Sequence, residues 1–227
     1  MTVVKQLNLF DTMRKEHPDG IVKGSSKRPL ITLVELGGKD FRSPEMIKLM
    51  KKYWEPDNDD VLYIINLDRI DVLTPSAAKI LVESVPELAA EYKRPIVFKS
   101  VGIYVEESLN IAAITCEPPR TIWIEQTDEK LKLIGKLPGR FEDLMDKLEK
   151  ASHPCSASNL ALQSTGESSK RTVNKLSVYL QEMVNLGLVG RTKVNAGATQ
   201  NRERGWTYLY HRPDDQSLKK IPCLEKP

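Results

Sequence analysis

The stretch "VLYIINL" (61–67) narrows the choice of fold more than any other part of the chain. It has the length of a strand, and only Asn66 interrupts its apolar character. A strand with no polar face is covered on both sides, which places it inside a sheet flanked by two layers. "LITLVEL" (30–36) and "PIVFKSV" (95–101) have the same β-rich character. "TIWIE" and "KLKLIG" flank "QTDE" as a closing hairpin.

Between the strands lie segments of helical period. "SPEMIKLMKKYW" starts at Ser43 as N-cap with Pro44 at the first helical position, and Met46, Ile47, Met50 and Trp54 recur on one side. "TPSAAKILVESVPELAAEYK" starts at Thr74 and Pro75, and Pro86 predicts a kink or a split. Residues 105–113 predict a short helix. Strands alternating with helices specify an α/β sandwich with a mostly parallel or mixed sheet over 30–137.

That half carries no sign of catalysis. "ELGGKD" lacks the Lys-Ser/Thr of a phosphate loop, and there is no G-x-S-x-G elbow. His17, His153 and His211 have no nucleophile or carboxylate at recognisable spacing. Asp68 and Asp71 flank a loop without a third ligand, so they read as solvated charges. Neither a catalytic residue, a metal ligand set nor a cofactor site is expected. Cys116, Cys155 and Cys223 form no C-x-x-C pair, which suits a reducing cytoplasm. No apolar run approaches the roughly 20 residues of a membrane span.

The formal charge is +3, unevenly spread. Residues 1–138 hold 20 Lys+Arg against 21 Asp+Glu, a net of 20 − 21 = −1. Residues 155–212 hold 8 against 3, a net of 8 − 3 = +5. A basic rear half points to a polyanion partner. Its element signals run in order: "LPGRFEDLMDKLEK", then "SASNLALQST" capped by Ser156 or Ser158, the turn "STGES", and "SKRTVNKLSVYLQEMVNLGLV" stopped by Gly187. The strand-like runs "LVGRTKV" and "WTYLY" follow, around "NAGATQNRERG". In the long helix Val173, Leu176, Leu180, Met183 and Val184 form an apolar stripe. Ser169, Lys170, Arg171, Asn174 and Lys175 occupy the opposite face.

The stretch "SASNLALQSTGESSKRTVNKLSVYLQEMVNLGLVGR" resembles winged-helix transcription regulators. The resemblance implies a winged helix-turn-helix over 138–213. Its recognition helix would bring Ser168, Ser169, Lys170, Arg171, Asn174 and Lys175 to the major groove. Arg191, Lys193, Gln200, Asn201, Arg202 and Arg204 would lie on the wing, against the backbone or minor groove.

"YIINLDRIDVLTPSAAKILVE" resembles the STAS-like fold of anti-sigma-factor antagonists. Asn66-Leu67-Asp68 matches the family's strand end, and Thr74-Pro75-Ser76-Ala77 stands where the family has Asp-Ser-Ser-Gly. Ser76 matches the serine that a partner kinase phosphorylates, whereas Thr74, Pro75 and Ala77 depart from the pattern.

Residues 1–29 read as an arm with a short motif, and 214–227 as a tail. "QLNLF" in that arm resembles the pentapeptide by which bacterial replication proteins bind the sliding clamp. The resemblance implies Leu7, Leu9 and Phe10 in an apolar pocket with Gln6 at its rim. The competing expectation is that these side chains pack on the chain's own α/β half.

Together these features predict a non-enzymatic DNA-binding regulatory protein. Its expected partners are duplex DNA, a sliding clamp, a kinase or other regulatory protein, and a second copy of the chain. The alternatives are a clamp-associated DNA-binding accessory factor, or a partner-switching regulator whose winged helix docks protein.

Overall fold

The computed structural model describes residues 3–16, 18, 21–23, 32–34, 42–54, 61–125, 131–151, 154–166, 169–195 and 206–213. In chain order the front elements are β1 (Val3–Asn8), α1 (Leu9–Glu16), β2 (Ile21–Lys23), β3 (Thr32–Val34), α2 (Ser43–Tyr53) and β4 (Val61–Asn66). Next come β5 (Val72–Leu73), α3 (Pro75–Tyr92), β6 (Ile96–Lys99), α4 (Ile103–Thr115), β7 (Thr121–Glu125) and β8 (Leu131–Gly135). The rear elements are α5 (Gly139–Ala151), α6 (Ala157–Thr165), α7 (Lys170–Asn185), β9 (Gly190–Asn195) and β10 (Trp206–His211).

The architecture is α/β. A five-stranded sheet runs in the order β1-β4-β6-β7-β8, parallel throughout except for the antiparallel β8. The expected hairpin of "TIWIE" and "KLKLIG" is β7–β8, with Thr121 opposite Gly135. A small sheet, β2-β3-β5, stands apart from it and holds the described part of "LITLVEL".

β4 is buried on both faces, as its composition demands. Tyr63 and Ile65 meet Phe98, Ile122 and Ile124 in one core, covered by α1 to α4. Leu62 and Ile64 join Val97 and Trp123 in a second core on the other face. There Phe141, Leu144 and Leu148 of α5, Leu160 of α6, and Leu180, Met183 and Val184 of α7 complete the packing. The boundary expected at 138 falls between β8 and α5, but the rear elements share their core with the sheet rather than owning a separate one.

Three expectations about local structure are corrected. Residues 3–16 form β1 and α1 rather than a free arm. β1 pairs in parallel with β4, Val3 opposite Val61 through Asn8 opposite Asn66, and Leu7, Leu9, Phe10 and Met13 are buried. Burying each such side chain contributes about 1.5–3 kcal/mol, which a free arm would forgo. Ser43 is the first residue of α2, not its cap. Arg42 holds the extended cap position, and its N–H donates to Glu45 Oε2 at 3.0 Å. The Ser43 hydroxyl instead donates to Glu83 Oε2 at 2.8 Å, tying α2 to α3. Finally, Pro86 does not split α3, which continues through it as one helix. Burial of Val82, Val85, Leu88 and Ala89 around the proline holds the helix despite the missing donor.

Candidate nucleic-acid interface

α7 starts where its sequence says it should. Ser169 takes extended backbone, and its Oγ accepts from the Thr172 N–H at 3.3 Å, satisfying one of the orphan amides of the first turn. The helix ends in a left-handed turn at Gly187 (φ +77°). The Leu188 N–H donates back to the Met183 carbonyl at 2.9 Å and the Gly187 N–H to Val184 at 3.1 Å, a Schellman closure. A Cβ at Gly187 would lie 3.0 Å from Ala89 Cβ, so the exit of α7 sits directly on α3.

Between these ends the two faces separate. Leu180, Met183 and Val184 are buried, and Val173 and Leu176 pack against the same core half-covered. Ser169, Lys170, Arg171, Asn174 and Lys175 are exposed together on the other side. Ser168 lies outside the described residues. Val178, 64% exposed, adds an apolar position to this polar face.

The elements around α7 follow the expected order. The Ser156 hydroxyl, not Ser158, caps α6 by accepting from the Asn159 N–H at 3.2 Å. Just before it, Cys155 and Tyr210 exchange backbone hydrogen bonds at 2.9 Å, adding an antiparallel bridge to β10. β9 and β10 pair antiparallel, Gly190 opposite His211 through Asn195 opposite Trp206.

The expected wing residues divide into three groups. Lys193 is exposed, with its ammonium 4.5 Å from the Trp206 ring centroid. Arg191 is a brace at the root of the hairpin. Its guanidinium donates to Gln181 Oε1 on α7 and stacks 4.5 Å from the Tyr208 ring centroid. Its backbone N–H donates to the Lys93 carbonyl at 3.2 Å, and its carbonyl accepts from the Arg94 guanidinium. Arg191 thus ties together the wing, α7 and the α3–β6 turn. Burial and the nearby Arg191 charge pull Lys93 below its usual pKa. Gln200, Asn201, Arg202 and Arg204 lie outside the described residues.

A second feature leaves only a faint trace in the sequence. α5 packs antiparallel to α7, with Arg140 of its first turn bound to Glu182 of the last. Phe141 meets Tyr179 edge-on at 6.3 Å. Between the two helices opens a cleft of about 610 Å³ lined by Arg140, Asp143, Lys147, Arg171, Lys175 and Tyr179, among others. Arg140, Asp143 and Lys147 fall at i, i+3 and i+7, one face of a helix, which is the trace such a cleft leaves in a sequence.

The front-half candidates are placed differently. Thr74 caps α3, its Oγ1 accepting from the Ala77 N–H at 3.2 Å. Ser76 is exposed on the first turn, its hydroxyl 3.1 Å from that of Thr74. Asp68 lies 3.7 Å from Arg69, and among the described residues no group of three or more His, Cys, Asp or Glu could hold a metal. In "QLNLF" the Asn8 side chain accepts from the Asp11 N–H at 3.0 Å, capping α1. Gln6 is exposed, but Leu7, Leu9 and Phe10 face the protein's own core, and the Arg69 guanidinium lies 4.7 Å from the Phe10 ring centroid. The pentapeptide is thus the junction of β1 and α1, and the expectation that these three side chains are presented to a clamp is corrected. No helix among the described residues is long and apolar enough to cross a membrane.

No protein-family model, no curated protein and no solved structure matches this chain.

Proposed function

We propose that the chain is a non-enzymatic DNA-binding regulatory protein. A winged helix over 138–213 contacts duplex DNA, and a STAS-like α/β half receives a protein partner or a signal. One observation carries this: Lys170, Arg171, Asn174 and Lys175 are exposed on one face of α7 while its opposite face is buried. Such a face offers phosphate contacts and base-edge donors within two turns. The order α5, bridge, α6, α7, β9, β10 supports the winged-helix assignment. The exposed Lys193 beside Trp206 supports a wing that meets the nucleic acid.

On this reading the helix is held rigidly. Arg191 ties it to the wing, and Gly187 seats it on α3, so an event at the front half acts on a fixed reading head. Ser76, at the start of the same α3, is where a kinase partner would act. A phosphate there adds nearly two negative charges at a helix N-terminus.

Binding to duplex DNA across a salt series is the test. With several phosphate contacts the affinity falls by orders of magnitude between 50 and 200 mM salt. Weak, salt-independent association, or none, sinks the proposal.

A further inference from the structure

The cleft between α5 and α7 is charged in a way the α7 face alone does not require. Arg140 is bound to Glu182, so its charge is matched. Lys147, Arg171 and Lys175 remain, against the single carboxylate of Asp143. Among the described residues none of these three cations has a carboxylate within salt-bridge distance; Lys175 has only the Tyr179 ring, 5.7 Å away. Leu144, Leu176 and Tyr179 are the apolar part of the same lining. Three like charges lining one cleft repel one another unless an anion joins them. A metal ion is excluded by their sign.

Dimensions say which anion. An α-helix with its side chains is about 10–12 Å across, and the major groove is about 12 Å wide. A helix lying in that groove fills it. An element set on the flank of that helix, rather than on its buried face, then lies beside the phosphate strand at the groove's rim. α5 flanks α7 through the Phe141–Tyr179 and Arg140–Glu182 contacts and the cleft they share, and the β9–β10 hairpin meets α7 at Gln181. A lysine on the cleft side of α5 then meets a phosphodiester.

We propose that Lys147 binds the phosphate strand flanking the groove that α7 occupies, so that the α5–α7 cleft forms part of the DNA interface. This rests on the DNA-binding function proposed above. Asp143, in the same cleft, opposes the phosphate and keeps the contact weaker than its three cations would make it.

The two residues give tests of opposite sign. Duplex affinity is measured from 50 to 200 mM salt for the full-length wild type, Lys147→Ala, Lys147→Arg and Asp143→Asn, with melting temperatures as a control for folding. Lys147→Ala should lower the slope of log affinity against log salt by about 0.9. Its deficit therefore shrinks about 3.5-fold across that range. Lys147→Arg should restore the wild-type slope. Asp143→Asn should tighten binding about two- to five-fold, a gain that a merely structural role would not produce. If the wild type binds DNA and Lys147→Ala and Asp143→Asn both match it, the cleft proposal is overturned while binding through α7 stands. If the wild type binds no duplex, the function on which it rests falls instead.

Discussion

The indole N–H of Trp123, on the central sheet, donates to the carbonyl of Leu188, just past the end of α7, across 2.9 Å in a fully buried site. This bond joins the α/β half to the rear elements inside their shared core. The Arg212 guanidinium closes over the same ring at 5.3 Å.

Trp123→Phe keeps most of the apolar contact and removes the donor. The Leu188 carbonyl is then buried without that partner, at a cost of about 1–3 kcal/mol. Calorimetry should record one unfolding transition for the wild type and one, at lower temperature, for the variant, because the sheet and the rear elements share a core. Two resolved transitions in the wild type would show that the halves are energetically separate.

Gly190 is required by a close approach, not by its backbone angle. A Cβ there would lie 2.3 Å from His211 Cε1 and 3.0 Å from Pro95 Cδ. Gly190→Ala should destabilise the chain by about 1–3 kcal/mol. In a double-mutant cycle with His211→Ala the combined loss should be smaller than the sum, since the shortened side chain vacates the clash. Simple additivity in denaturant midpoints would count against this contact.

Burial pushes the Tyr92 phenol up to about 12, with the Glu91 charge adding to it. Its hydroxyl donates to the Trp54 carbonyl at 3.0 Å, and its ring stacks on Tyr63 at 4.6 Å. The protonated form is favoured in the folded chain. Its stabilising contribution is thus complete below the unfolded value of 10.0 and is lost as pH rises towards about 12. Tyr92→Phe should remove one tyrosine from the most alkaline part of an absorbance titration and flatten the fall in stability over that window. An unchanged titration curve would contradict the assignment.

Leu9 is completely buried and Phe10 nearly so. Leu9→Ala should cost about 2–5 kcal/mol, read as a fall in melting temperature of the whole protein. A Leu9→Ala variant as stable as the wild type would restore "QLNLF" to the role of an exposed binding motif.

Much of this fold was legible in the sequence, and the exceptions have physical causes. β4 was recognisable because a double-sided apolar run has few alternatives, and α7 because its apolar stripe and Gly187 agree on its course and its end. β1 was missed because "VVKQLN" alternates weakly and its partner lies more than fifty residues away, so nothing local specifies the pairing. Pro86 does not split α3 because propensity is local, whereas the burial that overrides it is tertiary. In the candidate interface, the exposed face of α7 followed from helical period alone. The diversion of Arg191 inward did not, because it depends on Gln181, Tyr208 and Arg94 coming together from three other elements. Lys147 escapes notice for a related reason: α5 taken alone carries more acid than base, and only packing against α7 selects the residues that line the cleft.

The central claim is that α7 reads duplex DNA through its exposed basic face. Its most direct test is a fluorescence anisotropy titration of a labelled duplex at 50 mM salt, comparing wild type with Lys170→Ala/Arg171→Ala/Lys175→Ala. All three side chains are exposed and off the apolar stripe, so the melting temperature should hold. At about 1 kcal/mol for each contact, affinity should fall about 100-fold or more. Equal binding by a folded triple variant and the wild type would contradict the claim.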